Sequence, residues 1–480
     1  MSNRKTFGRG AAATLGGQWI KYVIQILGIV VMGRLLGPEN FGLVAMSGAI
    51  VGVATVIGDF GLSLAAVQAR ELSQAQRNNL FWINSGIGFT LSLVIIALSP
   101  VIAGFYGEPR LQLVTVFLSV TFLLNGLAVQ FRVELNRNLR FSALAVVDVV
   151  GQGIGLAVGI VAAALGAQYW ALVAMQVTVA LVNLVVQIRL SGWRPGLPSR
   201  EGNVRGFLRY GADTFALQVV NYISSNIDSV LVGRYSGSAV LGLYNRAFQL
   251  VALPVKQLGA PLTRVTMPAL SRMDGIEKVS KASLELHRTL CVVFLSILSY
   301  VAATAEPLLR VVLGDEWTGA APLIRILVIG AAFQAIAYAY YLMFLATART
   351  RVLFWTELPG RIVTVVGIII VAPFGPAPVA AFSSLGLAVT WFAGTFVGIR
   401  LLGAKRWPFF AVSIRLLVFF GGIAAIVGAL DVAAVDHLHP LLRLVILSVA
   451  WLVLVAAGLL IPPLRRDALT VLGMAKTLRK

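Results

Sequence analysis

The sequence predicts an all-α integral membrane protein of about fourteen transmembrane helices, arranged as two six-helix lobes and two further helices. Three observations favour this fold. Hydrophobic residues make up 58% of the chain and charged residues 12%, whereas charged residues make up about 25% of an ordinary soluble domain. The apolar residues form runs of about 20, the length of a helix that spans the hydrocarbon of a bilayer. The sequence also repeats itself at an offset of 200 residues.

The apolar runs predict the individual helices in order. The first run follows three basic residues, as in a signal peptide, but it is long and lacks a convincing small-residue cleavage site, so it is predicted to be the first span. No connecting segment is long enough to fold as a soluble domain. The spans are expected near residues 11–33, 42–67, 80–104, 111–131, 142–164, 168–188, 208–232, 239–262, 289–313, 320–346, 355–373, 377–399, 411–430 and 441–461.

The distribution of positive charge predicts the orientation of the helices. The chain has 39 Lys and Arg against 19 Asp and Glu, a formal net charge of +20. If the N-terminus is cytoplasmic, and cations near a span end are counted with the adjoining segment, 30 of the 39 fall in cytoplasmic segments, 6 in outer segments and 3 within spans. Cytoplasmic loops of membrane proteins collect Lys and Arg, so both termini are expected in the cytoplasm. The net charge therefore needs no nucleic acid to explain it.

The internal repeat is clearest around the first connection. Residues 33–43 align without a gap with residues 233–243, and with the same offset residues 18–43 and 218–243 share 8 identities in 26 positions. Chance similarity between apolar helices, which use few residue types, is the alternative explanation. The identities include loop positions, in the pairs Gly33 and Gly233, Arg34 and Arg234, Gly37 and Gly237, and Gly42 and Gly242. These loop identities favour a true repeat.

The repeat and the span count together predict the domain organisation. Each half has six spans, so both halves enter the membrane from the same side and are related by a pseudo-two-fold axis along the membrane normal. Parallel repeats of this kind form transporters with the substrate site between the lobes. We expect an N-terminal lobe at 1–205, a C-terminal lobe at 206–403, and an extra helix pair with a basic cytoplasmic tail at 404–480.

Polar stripes on three spans indicate where a substrate would bind. The residues of each stripe lie on one face of their helix. The three stripes are Gln18, Lys21 and Gln25; Gln218, Asn221, Ser225 and Asp228; and Arg246, Gln249, Lys256 and Gln257. A charge facing lipid would be unsolvated, so these stripes are expected to face the lobe interface. The substrate-binding candidates are Lys21, Arg246, Lys256, Gln25, Asn221 and Gln249.

The stripes have a net positive charge, which suits an anionic ligand such as a pyrophosphate. The alternative is that Lys21 and Lys256 snorkel or pair with carboxylates such as Asp59 and Asp148. Asp59, Asp148 and Asp228 are also the candidates for coupling to an ion. No catalytic constellation, metal site, cofactor motif or ATP-binding motif is recognisable, so we expect a transporter rather than an enzyme. The glycines at 151, 155 and 159 predict a helix-packing surface.

Several short motifs resemble a known family. They are Leu36-Gly37-Pro38-Glu39-Asn40-Phe41-Gly42-Leu43, Phe81-Trp82-Ile83-Asn84, Phe105-Tyr106-Gly107-Glu108-Pro109, Leu241-Gly242-Leu243-Tyr244-Asn245-Arg246-Ala247, Pro261-Leu262-Thr263-Arg264-Val265 and Pro268-Ala269-Leu270-Ser271-Arg272. Up to roughly residue 400 the chain resembles bacterial lipopolysaccharide and exopolysaccharide exporters of the Wzx type. These exporters belong to the multidrug/oligosaccharidyl-lipid/polysaccharide (MOP) superfamily.

The resemblance implies a V-shaped pair of six-helix lobes in the bacterial inner membrane. It also implies flipping of an undecaprenyl-pyrophosphate-linked oligosaccharide repeat unit from the cytoplasmic to the periplasmic leaflet by alternating access. The two extra helices would then hold the lipid tail. The implied partners are this lipid-linked oligosaccharide, the membrane lipids and other polysaccharide assembly proteins.

Two other functions compete with a flippase. A cation-coupled exporter of small amphiphiles could use the same fold, but it would favour acidic residues in the cavity. A membrane polysaccharide polymerase would favour a large extracytoplasmic loop, and no such loop is predicted. The sequence does not identify the glycan, the coupling ion or the oligomeric state.

Overall fold

The computed structural model of the chain describes residues 2–59, 72–200, 202 and 204–477. Within these ranges, side chains are described except at 2–15, 53–59, 205–217, 219–220, 256, 258, 260–262, 264–265, 472 and 474–477. The described residues form helices and short connections, with no strand among them. The all-α prediction is therefore confirmed.

The first seven helices follow the predicted order. Four of the described connections between them are two to four residues long, as expected when consecutive helices cross a bilayer in opposite directions. The helices are α1 (Ser2–Leu35), α2 (Pro38–Asp59), α3 (Gln74–Tyr106), α4 (Arg110–Arg137), α5 (Phe141–Ala164), α6 (Tyr169–Ser191) and α7 (Arg205–Ser271).

Helix α7 combines the two spans predicted at 208–232 and 239–262. Its helical course is broken at Gly237, where φ is 83° and ψ is 177°. This backbone conformation has a positive φ and is open mainly to glycine. Gly237 therefore lets the chain change direction with almost no loop.

The remaining helices complete the chain. They are α8 (Ile276–Ala303), α9 (Ala305–Val312), α10 (Ala321–Ala346), α11 (Thr350–Val371), α12 (Pro376–Ala393), α13 (Trp407–Leu430), α14 (Pro440–Gly458) and α15 (Pro462–Thr477). Helix α12 continues through a π-helical turn, Gly394–Gly398, to Leu401. Part of the tail that was expected beyond the last span is thus helical, as α15.

The predicted span at 289–313 differs from the structure. The long helix α8 starts at Ile276 and ends at Ala303, and a separate short helix, α9, follows. Pro307 lies in the first turn of α9. It has no N–H to bond the carbonyl of Ala303, and its ring excludes that carbonyl, so a single continuous helix is unfavourable here.

Eleven of the described helices are long and apolar enough to cross a membrane. They overlap eleven of the predicted spans, with the shift at 289–313 described above. The other three predictions, at 42–67, 208–232 and 239–262, fall on α2 and α7, parts of which lie outside the described side chains. The chain is thus a multi-pass membrane protein, and the number fourteen stays a prediction.

The chain divides into two compact units, Met1–Gly242 and Leu243–Lys480. In the first unit, α3 packs against α4 and α5 packs against α6. A β-carbon at Gly151 would meet the side chain of Asn183, one at Gly155 would meet Val179, and one at Gly159 would meet Met175. The predicted packing surface of small residues is therefore confirmed. The lobe boundaries at 205 and 403 stay predictions.

In the second unit, α8 is the central helix and packs against α10, α13 and α15. Its side chains Leu286, Leu290 and Phe294 form a buried cluster with Ala335 and Leu342 of α10. At the other end of the unit, the buried Arg443 of α14 pairs with Asp431 at the end of α13 and with Glu306 of α9. This network attaches the two extra helices to the rest of the unit.

Candidate functional site

In the first unit, the ammonium group of Lys21 pairs with a carboxylate. Lys21 Nζ on α1 lies 3.4 Å from Asp148 Oδ2 on α5. The other carboxylate oxygen, Oδ1, lies 3.0 Å from a guanidinium nitrogen of Arg132, near the end of α4. Lys21 therefore pairs with Asp148, which is the alternative to a free cavity-lining cation. Three helices meet at this carboxylate, and two cations share it.

The pairing follows from the way α1 lies on α5. A β-carbon at Gly17 would meet Ala145, and one at Gly28 would meet Leu156. Glycine thus allows α1 to approach α5 both before and after Lys21, which brings the lysine onto Asp148. Gln25 is exposed in this unit. The stripe therefore divides, with Lys21 turned toward α5 and Gln25 at the surface.

The first part of α7 packs against α2, which also belongs to the first unit. The Tyr222 hydroxyl donates to the carbonyl oxygens of Gly48 and Ala49, each at 3.3 Å. Of the predicted site residues on α7, Asn221 is exposed and Asp228 is buried. The Asp228 carboxylate accepts a hydrogen bond of 2.7 Å from the backbone N–H of Ser229.

In the second unit, Arg246 is buried rather than freely exposed. Its guanidinium donates to Gln249 Oε1 at 2.9 Å and lies 5.1 Å from the centre of the Trp317 ring. Arg246 is 5% exposed and Trp317 is 1% exposed. A cation over an indole face is attracted by the ring quadrupole, more strongly where water is excluded. Arg246 and Gln249 are thus brought together, with Trp317 as an additional contact.

Two of the predicted residues lie outside the described side chains, namely Lys256 and Asp59. The described candidates fall into two groups. Lys21, Gln25, Asn221, Asp148 and Asp228 belong to the first unit, and Arg246 and Gln249 belong to the second. That these groups line one central cavity stays a prediction.

Sequence reasoning missed two residues that the structure adds to these groups. The predicted span at 111–131 ends one residue before Arg132, so the sequence places this arginine in a cytoplasmic segment. Helix α4 continues to Arg137, which places Arg132 within the helix. No sequence pattern indicated that Trp317 would contact Arg246. Trp317 lies in a 3₁₀ turn, Asp315–Ala320, and is 71 residues beyond Arg246 along the chain.

The second unit also contains an apolar cavity of about 600 Å³ between α8, α10 and α13. Leu298, Val328, Ile329 and Phe420 are among the residues that line it, and Arg325 is the only charged residue in its wall. Four of the α13 residues in the wall are small, namely Gly421, Ala424, Ala425 and Gly428. A cavity of this size is in the range of small-molecule sites, and its lining suits a hydrocarbon chain.

Comparison with known proteins identifies a family model, relatives and solved structures that resemble this chain. A family model described as "Polysaccharide biosynthesis protein" matches residues 31–322. The chain is 26% identical over 352 residues to the lipopolysaccharide biosynthesis protein WzxC of Escherichia coli (strain K12), with 71% of each chain covered. It is 24% identical over 349 residues to the teichuronic acid biosynthesis protein TuaB of Bacillus subtilis (strain 168), with 70% of each chain covered.

A third relative is the succinoglycan biosynthesis transport protein ExoT of Rhizobium meliloti (strain 1021). It is 23% identical over 364 residues, which cover 75% of this chain and 74% of ExoT. Among solved structures, the lipid II flippase MurJ in an inward closed conformation is similar with a TM-score of 0.72 and 14% identity, covering 93% of this chain and 98% of MurJ. A multidrug resistance MATE family transporter of the MOP superfamily, inward-facing, has a TM-score of 0.58 and 14% identity, covering 80% and 94%.

Proposed function

The chain belongs to the polysaccharide biosynthesis protein family of membrane proteins, and on that premise we propose that it flips a lipid-linked oligosaccharide across the bacterial inner membrane. The substrate is an undecaprenyl-pyrophosphate-linked repeat unit, which passes from the cytoplasmic to the periplasmic leaflet by alternating access. The protein acts as a transporter, and its partners carry out the chemical steps of polysaccharide synthesis.

One observation carries the proposal, namely that cationic side chains lie within the helices of this membrane protein. Lys21 is half-buried on α1 and Arg246 is buried on α7. Ionisable groups at such positions are expensive in lipid and usually face the interior of a bundle or a watery cavity. Guanidinium and ammonium groups bind phosphate oxygens through charge-assisted hydrogen bonds. A pyrophosphate head group therefore suits these cations.

The remaining proposed binding residues are three amides and one further lysine. Gln25 and Asn221 are exposed amides in the first unit, and Gln249 bonds Arg246 in the second. Amides donate and accept hydrogen bonds, so they suit the hydroxyl groups of a saccharide. Lys256 is included as a binding residue because it belongs to the same polar stripe as Arg246 and Gln249 in the sequence. The apolar cavity beside α13 is suited to part of the prenyl tail, since its wall is almost entirely hydrocarbon.

The membrane potential can supply a driving force. Moving one charge across 100 mV changes its free energy by about 2.3 kcal/mol. A pyrophosphate with roughly two negative charges, leaving a negative interior, would gain about 4–5 kcal/mol per 100 mV on the same scale. Cations would hold the head group in the protein, and the potential would favour its release outside.

Flipping in proteoliposomes tests this function. A labelled lipid-linked saccharide is placed in the membrane together with the purified protein, and its appearance in the opposite leaflet is followed under an imposed potential. We expect a potential that is negative on the cytoplasmic side to accelerate outward flipping, and a reversed potential to slow it. An absence of flipping under either potential would contradict the function.

The same assay tests the alternative of ion-coupled antiport. A flipping rate that is indifferent to the potential but depends on a proton or sodium gradient would favour coupling through Asp59, Asp148 or Asp228. Transport of small amphiphilic cations without transport of the saccharide lipid would favour a multidrug exporter on the same fold.

A further inference from the structure

Lys21, Arg132 and Asp148 form a compact cluster that is more than a single ion pair. Asp148 uses a different oxygen for each cation, Oδ1 for Arg132 at 3.0 Å and Oδ2 for Lys21 at 3.4 Å. The three side chains come from α4, α1 and α5. Two cations against one carboxylate give the cluster a charge of +1.

Both cations have hydrogen-bonding capacity left over. The side chains of Arg132 and Lys21 are 48% and 34% exposed, whereas that of Asp148 is 22% exposed. A guanidinium has five N–H donors and an ammonium has three, and Asp148 accepts one hydrogen bond from each. The carboxylate therefore fixes the separation of the two cations without saturating them.

The cluster lies close to one end of the helix bundle. With a rise of 1.5 Å per residue, Asp148 is about 10 Å from the start of α5 at Phe141, and Lys21 is about 21 Å from the end of α1 at Leu35. In the proposed orientation this is the cytoplasmic end. Both distances place the cluster about 10 Å inside that end of a hydrocarbon core about 30 Å thick. A head group that enters the protein from the cytoplasmic leaflet would meet the cluster about one third of the way across the core.

We propose that Lys21, Arg132 and Asp148 form the loading site that binds the pyrophosphate of the substrate lipid as it enters the protein from the cytoplasmic leaflet. This inference rests on the proposed flippase function and adds Arg132 as a binding residue. The guanidinium of Arg132 binds two phosphate oxygens in a fork, and the ammonium of Lys21 neutralises the remaining charge. Asp148 is a positioning residue that holds the two cations apart at a fixed distance, rather than a site for a coupling ion.

Binding of a defined pyrophosphate probe tests the site. The full chain is placed in nanodiscs of neutral phosphatidylcholine, and the Kd for farnesyl pyrophosphate is measured by calorimetry. Loss of a hydrogen bond to a charged group should raise the Kd about tenfold in Arg132→Gln. Arg132→Lys, which keeps the charge but loses the fork, should fall between Arg132→Gln and the unchanged protein.

Arg361 provides a matched control in the second unit. Its guanidinium is 45% exposed and lies 3.0 Å from the carboxylate of Glu357, so its exposure and its pairing distance are close to those of Arg132. Arg361→Gln should leave the Kd unchanged. If Arg132→Gln binds the probe as tightly as Arg361→Gln does, the cluster is only a structural ion pair and the inference is overturned.

Two further arms identify the ligand chemistry. Inorganic pyrophosphate should compete with farnesyl pyrophosphate, because the site binds the head group. Anionic phosphatidylglycerol in the nanodisc should compete weakly, since a phosphodiester has only one negative charge. Complete displacement by phosphatidylglycerol would show a general phospholipid site and overturn the assignment to a pyrophosphate.

The flipping assay separates this inference from the proposed function. If the unchanged protein flips the saccharide lipid and Arg132→Gln flips and binds normally, the function stands and the loading site is wrong. If the unchanged protein does not flip the lipid but Arg132→Gln still weakens probe binding, the site stands and the proposed function is wrong.

Discussion

Gly42 and Gly242 lie backbone against backbone in the first unit, and their contact is reciprocal. A β-carbon on Gly42 would overlap the carbonyl oxygen of Ser238, and a β-carbon on Gly242 would overlap the carbonyl oxygen of Pro38. The two glycines are 200 residues apart, and so are Pro38 and Ser238. Reciprocal contacts between equivalent residues are the property of a two-fold axis. The contact therefore supports a two-fold relation between the two copies of the repeated segment.

Replacing either glycine should disrupt this contact. We expect Gly42→Ala and Gly242→Ala each to lower the thermal unfolding midpoint and to reduce transport. The added methyl group would clash with backbone atoms, which cannot move away by rotating as a side chain can. Gly48→Ala on the same helix is the control. A β-carbon at Gly48 would meet nothing within 4 Å, and alanine favours a helix by up to about 1 kcal/mol over glycine. Equal midpoints in all three variants would refute the tight contact.

The orientation can be tested by cysteine labelling from outside the cell. Cysteine at position 39 or 238 should react with a membrane-impermeant maleimide, because each position follows a predicted span (11–33 or 208–232) that starts in the cytoplasm and ends on the outer side. The native Cys291 is buried, so the background should be low. Labelling of neither position in intact cells, with both labelled after permeabilisation, would reverse the proposed topology.

The proposed binding cations should differ in their effect on stability. Lys21→Ala, Arg246→Ala and Lys256→Ala should each impair transport. Lys21→Ala removes a half-exposed ion pair, which contributes up to about 1 kcal/mol, so its stability should stay nearly unchanged. Arg246→Ala also removes a buried cation from Trp317, which should cost about 2 kcal/mol.

Transport and thermal unfolding, measured on the same preparations, check this prediction. Lys405→Ala, a change at an exposed residue of a connecting loop, is the control and should change neither quantity. Normal transport by the triple variant would remove all three cations from the binding site.

The Arg443 network should be the most sensitive position in the second unit. Arg443 contacts Asp431, Glu306 and Asp436, and the side chain of Asp431 is fully buried. Arg443→Leu leaves that carboxylate without its cation, which should cost about 3–5 kcal/mol. Adding Asp431→Leu should restore most of the loss, because replacing a whole buried pair is often neutral.

Thermal unfolding in detergent measures both effects. A double variant that is less stable than Arg443→Leu would show that Asp431 is stabilised by other groups.

The sequence predicted the helical membrane fold well, because the length of an apolar run and the cost of unpaired backbone in lipid leave few alternatives. Helix ends were harder. Pro307 divides a predicted span into two helices, and Gly237 replaces a predicted loop with a single residue. In both cases one residue overrides a hydropathy signal that is averaged over many residues.

The candidate site could be predicted only in part. A stripe shows that Lys21 shares a face with Gln25, but the partner of Lys21 depends on how closely α1 approaches α5. That approach depends on Gly17 and Gly28, whose importance is visible only once Ala145 and Leu156 lie against them. Likewise, the contact of Arg246 with Trp317 joins residues that are distant in sequence.

The connection after α6 bears on the way the chain folds during its synthesis. Gly196 and Ser199 bond back to α3, with Asn79 Nδ2 donating to Ser199 O at 2.7 Å and Trp82 Nε1 donating to Gly196 O at 3.0 Å. These partners are made more than a hundred residues apart. At about 5–20 residues per second the ribosome needs several seconds to add them. Closure of this connection onto α3 is therefore a late event in the assembly of the first six helices, and it can be completed before most of α7 has been translated. The order of synthesis then gives the first six helices time to associate before the first part of α7 packs against α2.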